Sequence, residues 1–140
     1  MEIKKDSRFE FKKIHNTKEC TNQKQAKVLK DLGLGDFADM ALVEFDAGAT
    51  EVKMLYDVCS GETIIHKLFS LGALMSLVPS ILWNPKKNHS IDVFVQGNTV
   101  LLYEGKYIHR IYDAGNLIDS IIEFFKDLAS SEEFGNLDWD

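Results

Sequence analysis

The chain has 140 residues, of which 45% are hydrophobic, 27% charged and 11% aromatic, and its formal net charge is −6. This composition excludes collagen-like, low-complexity and disordered chains, and the length suits one domain with its own core. No apolar run reaches the roughly 20 residues of a membrane-spanning helix, and the first residues lack the apolar segment of a secretory signal, so we expect a soluble, cytoplasmic single domain at 1–140.

The charge is unevenly distributed along the chain. Residues 1–30 hold nine Lys or Arg and four acids, whereas the rest of the chain holds seven basic and eighteen acidic side chains. From Asp113 onwards there are eight acids and one lysine, Lys126. A field of this sign repels nucleic acid and attracts a basic partner. We therefore expect no direct binding of nucleic acid.

The first predicted element is a helix that follows a basic N-terminal segment at residues 1–20. Thr21 or Asn22 provides its N-cap, and Gly33 or Gly35 ends it. The two glycines do not form a phosphate loop, because a third glycine, a lysine and a preceding strand are missing.

A first repeat is predicted at residues 41–83. Its three strands are expected at Ala41–Phe45, Glu51–Cys59 and Thr63–Phe69. The second of these alternates, with Val52, Met54, Tyr56 and Val58 on one side. A helix that is apolar nearly all round is predicted at Gly72–Trp83, kinked or shortened by Pro79. Such a helix is expected to be buried or to lie under a partner.

A second repeat is predicted at residues 91–129. Its strands are expected at Ile91–Gln96, Thr99–Glu104 and Tyr107–Tyr112. Gly97-Asn98 is the clearest hairpin signal in the chain, since both residues tolerate the positive φ of a tight turn. A helix follows, capped by Asp113 or Asn116. Its apolar face comprises Leu117, Ile118, Ile121, Ile122, Phe125 and Leu128.

Internal similarity links the two repeats. Residues 65–76 align with residues 108–119 at a constant offset of 43, with Ile, His, Gly and Leu coinciding. Two copies are too few for a solenoid. The predicted fold class is therefore α+β: an N-terminal helix followed by two ββ(β)α units that share an antiparallel sheet.

The spacing of the histidines, cysteines and acids gives little indication of a catalytic site or a metal site. His66 and His109 occupy matching repeat positions, but no third ligand has a usual metal-site spacing. Cys59 at a predicted strand end lacks any signature of a cysteine nucleophile. The exposed acids lack the apolar cleft that a general acid needs. We expect no metal, no cofactor and no catalytic residue.

Acidic side chains are the candidate partner-binding residues. Asp119, Glu123 and Asp127 are spaced i, i+4, i+8 and form a stripe on the second helix. The acidic tail at 130–140 surrounds aromatic residues with carboxylates, a combination that suits a basic protein partner. Its candidate residues are Glu132, Glu133, Asp138 and Trp139. The alternative is that the tail folds back and Trp139 covers the core.

The second repeat resembles a known family. Ile91–Leu128, with strand, tight turn, two strands and the helical sequence at 116–125, is similar to the closing section of SUKH-type bacterial immunity proteins. The resemblance implies a non-catalytic, cytoplasmic inhibitor of a contact-dependent or polymorphic toxin system. Such a protein binds one toxin domain, often a basic nuclease, and blocks its active site or substrate path.

Three functional hypotheses follow. In the first, an immunity protein, monomeric or weakly dimeric, is steered to a basic toxin domain by its acidic face. In the second, a type III-like secretion chaperone or adaptor dimerises, through the apolar helix near Leu74–Trp83, and binds an effector segment. In the third, an enzyme or small-ligand protein uses a pocket around His66 and His109.

Overall fold

The computed structural model describes residues 19–84 and 88–130. Most of the predicted basic segment and the acidic tail from residue 131 lie outside the described residues. The chain divides into two compact units between Ala73 and Leu74. We call them the N-terminal unit (described residues 19–73) and the C-terminal unit (described residues 74–84 and 88–130), and describe each by itself.

The N-terminal unit has one helix before its sheet and the start of a second after it. Its elements are α1 (Gln23–Asp31), β1 (Met40–Phe45), β2 (Ala49–Met54), β3 (Thr63–Leu68) and the beginning of α2 (Leu71–Leu77). The strands are antiparallel in the order β2-β1-β3, with β1 in the centre. Short 3₁₀ turns lie at Gly35–Phe37 before β1, at Asp46–Gly48 between β1 and β2, and at Leu55–Asp57 after β2.

Helix α1 is the predicted N-terminal helix. Asn22 caps it through a capping box: the Asn22 side chain accepts from the backbone N–H of Gln25, and the Gln25 side chain accepts from the backbone N–H of Asn22. Gly33 follows the helix at φ +89, a conformation that glycine adopts without strain. The prediction of this helix is confirmed.

The predicted strand at Glu51–Cys59 is wrong beyond Met54. Strand β2 ends there, Leu55–Asp57 forms a 3₁₀ turn, and Tyr56 is 79% exposed. The chain then returns to the far side of β1, where β3 pairs. Glu62 holds this crossover, because it accepts from the Cys59 N–H (2.7 Å) and pairs with Lys53 (3.0 Å). The bond from Cys59, followed by the contact with Lys53, lowers the pKa of Glu62.

A serine fastens the start of α2. The Asp39 carboxylate accepts from the Ser70 backbone N–H (2.8 Å) and from the Ser70 hydroxyl (2.6 Å). The same hydroxyl accepts from the N–H of Ala73, in the first turn of the helix (3.0 Å). Ser70 therefore acts as an N-cap and ties the strand end to the helix.

The C-terminal unit is a four-stranded meander that carries a long helix. Its elements after α2 are β4 (Ile81–Asn84), β5 (His89–Gln96), β6 (Thr99–Glu104), β7 (Tyr107–Asp113) and α3 (Leu117–Ser130). All neighbouring strands are antiparallel, in the order β4-β5-β6-β7. Gly97 and Gly105 take φ values of 60° and 64° in the two-residue turns between β5, β6 and β7.

The helix predicted at Gly72–Trp83 ends at Leu77, so the expected shortening at Pro79 is confirmed and its extension to Trp83 is wrong. Pro79 lacks the N–H that a helix needs and restricts the residue before it, so the chain leaves the helix there. Ile81–Asn84 instead pairs with β5. The segment is not buried all round either, because Met75 is 43% and Trp83 is 53% exposed.

Helix α3 packs on β6 and β7 and supplies much of the core of its unit. Its buried hydrophobic residues are Ile118, Ile121, Ile122, Phe124, Phe125 and Leu128. Ser120, also buried, donates to the Asn98 carbonyl (2.6 Å) and accepts from the Ala114 N–H (3.0 Å). It therefore connects the helix to a hairpin turn. The Asn116 side chain accepts from the Asp119 N–H and caps the helix.

The fold class α+β is confirmed, with antiparallel strands and packed helices. The single shared sheet is wrong, since the strands form two separate sheets. The end of the predicted first repeat, where a helix is expected, forms β4 and belongs to the sheet of the second repeat because it pairs with β5. In the described residues, no helix combines the length and apolar character needed to cross a bilayer.

Candidate binding surfaces

The acidic stripe of α3 is present, but its carboxylates have partners within the chain. Asp119 accepts from the Asn116 side chain (2.8 Å), and Glu123 pairs with Lys126 (3.3 Å). Asp127 accepts hydrogen bonds from Arg110 and Tyr112, both on β7. Surface pairs such as Glu123–Lys126 reduce the field of the stripe.

The contacts of Asp127 join α3 to the edge strand β7. Burial, and then the hydrogen bond to Asp127, raise the pKa of Tyr112 to about 12. The ring of Tyr112 meets Phe124 edge to face, with 5.5 Å between centroids. Asp127 is thus engaged in holding the helix on the sheet. The remaining candidates, Glu132, Glu133, Asp138 and Trp139, lie outside the described residues.

The sheet face opposite α3 carries large apolar side chains. We call it the outer face. Five of its residues are each more than half exposed: Ile81, Trp83, Phe94, Ile108 and Ile111. The strand register places them together. Phe94 is opposite Leu101, and Leu101 is opposite Ile111, while Ile108 is opposite Tyr103.

Strand β4 and Tyr103 also contribute to the outer face. Ile81 is opposite Asp92 and Trp83 is opposite Ser90, so β4 extends the same face. Phe94 and Tyr103 stack edge to face at 5.4 Å and border a depression of about 350 Å³. On the other side of the sheet, Ile91 and Val93 alternate with these residues and are buried.

The charges of the outer face have one sign. Among the residues that the structure describes there, Asp92 and Asp113 are acidic and no Lys or Arg is present. The described residues of the C-terminal unit hold three Lys or Arg and six Asp or Glu. An apolar surface with this charge is complementary to a basic, partly apolar one.

A second candidate surface is a groove in the N-terminal unit. It lies between α1 and β3 and has a volume of about 850 Å³. Basic side chains line it from both elements: Lys24, Lys27 and Lys30 from the helix, and His66 and Lys67 from the strand. The sequence predicts these lysines only as part of a basic N-terminal region, because their position opposite Lys67 depends on the crossover of β3.

In the described residues, the histidines and cysteines are distributed over both units. His66 lies on β3 of one unit and His109 on β7 of the other. Glu104 lies between two imidazoles, 2.9 Å from His89 and 3.5 Å from His109. No group of three or more metal-ligating side chains occurs in the described parts of the chain.

The two thiols have different surroundings. Cys59 is exposed, and its thiol donates to the Asp57 carbonyl. Burial, and then the charges of Asp39 and Glu19, raise the pKa of Cys20. The Cys20 thiol therefore stays protonated at neutral pH, which is the opposite of an activated nucleophile.

Comparison of the chain with protein-family models, with curated proteins and with solved structures finds no match in any of the three.

Sequence reasoning missed the outer face, although a signal for it exists. Strands of an antiparallel sheet with one solvated face alternate between apolar and polar residues. Ile91–Val95 has Phe94 where a solvated face needs a polar residue, and Ile108 and Ile111 break the alternation in β7. A strand with apolar residues on both sides indicates that a second surface is covered.

Proposed function

We propose that this protein is a non-catalytic protein-binding inhibitor, and that it acts in the cytoplasm as an immunity protein that neutralises a basic toxin domain by one-to-one binding. The observation that supports this most strongly is the outer face of the C-terminal unit. Its five apolar residues, each more than half exposed, lie on β4, β5 and β7 and share one face of the four-stranded sheet.

Burial of these apolar side chains would stabilise a complex at this surface. Soluble monomers rarely expose a contiguous apolar patch larger than a few hundred Å², and larger ones mark interaction sites. Fully burying one side chain of this size contributes roughly 1.5–3 kcal/mol. Trp83 is a good candidate for an anchor, because tryptophan is enriched among the residues that dominate binding energy. Phe94 and Ile111 flank Leu101 at the centre of the face.

The charge supports a basic partner. Asp92 and Asp113 lie on the outer face itself, and the acidic stripe of α3 belongs to the same unit. This distribution accelerates association with a cationic domain and makes the association rate fall with salt. The mechanism is thus steering by the acidic charge of the unit, followed by docking of the apolar face on the toxin domain.

Capture and reconstitution test the proposal. The tagged protein is expressed at near-native level in its source organism, and proteins that co-purify at low and raised ionic strength are identified. A candidate partner is then purified and titrated with this protein, and its own enzymatic activity is followed. We expect a one-to-one complex, complete loss of the partner's activity at equivalence, and an association rate that falls as salt rises.

Charged variants locate the interface. Phe94→Asp and Ile111→Asp place an acid in the centre of the outer face and are expected to abolish binding. Val52→Asp, on the edge strand β2 of the other unit, is the matched control for adding a charge at an exposed apolar position. A stable homodimer that captures an unfolded effector segment would instead support the chaperone hypothesis. A partner whose activity is unaffected would refute inhibition.

A further inference from the structure

The groove between α1 and β3 lies in the N-terminal unit and is not used by the proposed function. Its volume of about 850 Å³ is in the range of ligand-binding clefts, roughly 300–1,000 Å³. Its lining combines the basic side chains with an apolar floor. The apolar contributors are Ala26, Ile64, Ile65 and Phe69.

Four lysines from two elements line the groove. In the described residues, none of Lys24, Lys27, Lys30 and Lys67 has an ion-pair partner, and the acidic residue that lines the groove is Asp36. Solvated lysines on a single helix are common, but here lysines of a helix and of a strand line the same groove. In a chain of net charge −6, this concentration of cations attracts an anionic ligand.

The backbone of the groove offers a strand edge. Strand β3 pairs with β1 on one side, and on its other side the described residues provide no partner strand for Thr63–Lys67. Just beyond the strand, the chain covers this edge itself. The Thr21 N–H donates to the Phe69 carbonyl (2.9 Å), and Cys20 forms an antiparallel bridge with Ser70. An extended segment thus already pairs along the continuation of this edge.

We propose that the groove binds an extended acidic peptide segment of a partner protein, which adds as a strand to β3. The peptide backbone pairs with the open edge at Thr63–Lys67, as in other cases of strand addition. Carboxylates of the peptide pair with Lys27 and Lys67, and its apolar side chains contact Ile64 and Ile65. A nucleic acid is less suited to this groove, because no exposed aromatic side chain among the described residues lines it for base stacking.

Fluorescence anisotropy with the full chain tests this proposal. The probe is a fluorescein-labelled peptide of alternating glutamate and valine, compared with a lysine–valine peptide and with single-stranded oligothymidine. We expect the acidic peptide to bind, the basic peptide not to bind, and binding to weaken with salt. Amide resonances of Thr63–Lys67 are expected to shift and to exchange more slowly with solvent when the acidic peptide is bound.

Charge reversal identifies the lysines. The double variant Lys27→Glu, Lys67→Glu is expected to weaken the acidic peptide roughly tenfold or more. Lys106→Glu, in a hairpin turn of the C-terminal unit, is the matched control and is expected to bind normally. Absence of acidic-peptide binding, equal effects of the two sets of reversals, or tighter binding of oligothymidine would each overturn the proposal. Since the proposed function rests on the outer face, Phe94→Asp leaves this binding unchanged.

Discussion

The two units contain the same local order of three strands and a helix, but they pair their strands differently. In the N-terminal unit the third strand crosses to the far side of the first, giving the order β2-β1-β3. In the C-terminal unit β5, β6 and β7 follow one another as neighbours. The following helix also differs, with seven residues in α2 and fourteen in α3.

The connections explain this difference. Two residues, Gly105-Lys106, join β6 to β7, and a loop this short allows only adjacent antiparallel pairing. Between β2 and β3 the chain has residues 55–62, which include the 3₁₀ turn at Leu55–Asp57 and the contact of Glu62 with the Cys59 N–H. That length lets the strand reach the opposite edge of β1. A sequence repeat therefore specifies local elements, whereas loop length decides how they pair.

The largest expected effect is on the stability of the core of the C-terminal unit. Phe124 is fully buried on α3 and contacts the rings of Tyr112 and Phe125. Phe124→Ala is expected to lower the free energy of unfolding of the C-terminal unit by about 3–5 kcal/mol. Hydrogen exchange is the measurement, with amides of β6 and β7 losing protection. Tyr56→Ala, at an exposed position, is the control, and equal effects of the two changes would contradict the assigned core.

Both units fasten a helix with a buried serine, and the next prediction concerns the one on α3. Ser120→Ala removes a donor to the Asn98 carbonyl and an acceptor for the Ala114 N–H. Leaving such groups without partners costs about 1–3 kcal/mol, measurable by urea denaturation. Ser130→Ala, at an exposed position on the same helix, is the control and should change stability by less than about 0.5 kcal/mol.

The tight turns of the C-terminal sheet provide a third test. Gly105 has φ +64, which a β-branched residue adopts only with strain. Gly105→Val is expected to cost about 1–2 kcal/mol in urea denaturation. Lys106→Val in the same turn lacks this strain and should cost less. If the two variants were equally stable, the turn would not be what holds β7 beside β6.

The smallest effect depends on pH. Tyr112 has an ordinary pKa of 10.0 in the unfolded chain and about 12 when folded, so its contribution is complete below pH 10 and is lost as the pH rises from 10 to 12. Tyr112→Phe is expected to cost about 1 kcal/mol at neutral pH and to reduce this alkaline loss. Thermal unfolding between pH 7 and 12 measures both. Tyr107→Phe, at an exposed position, should retain the full alkaline loss.

Much of the fold is readable from the sequence where local signals decide. Gly97-Asn98 and Gly105-Lys106 set the register of three strands, and Asn22 with Gly33 delimits α1. The end of β2 is not readable, because the alternation from Val52 to Val58 continues after the chain has left the sheet. Ile81–Asn84 is a short apolar run that suits a helix or a strand, and only its pairing with β5 decides between them.

The candidate sites are harder to predict from the sequence, because each is formed by residues of different elements that only the fold brings together. The charge pattern predicts an acidic stripe but not that Arg110 and Tyr112 engage Asp127 from another element. The groove needs Lys27 and Lys67 to meet, although forty residues separate them along the chain. The outer face needs the register of all four strands.

Photo-crosslinking in living cells tests the central proposal, that the outer face binds a partner, most directly. A photoreactive phenylalanine analogue replaces Phe94 in one strain and Val52 in another, and crosslinked products are identified after irradiation. We predict that position 94 crosslinks to one basic protein and that position 52 does not. Absence of a crosslink from position 94, or a crosslink to a second copy of this chain alone, would contradict the proposed inhibitor function.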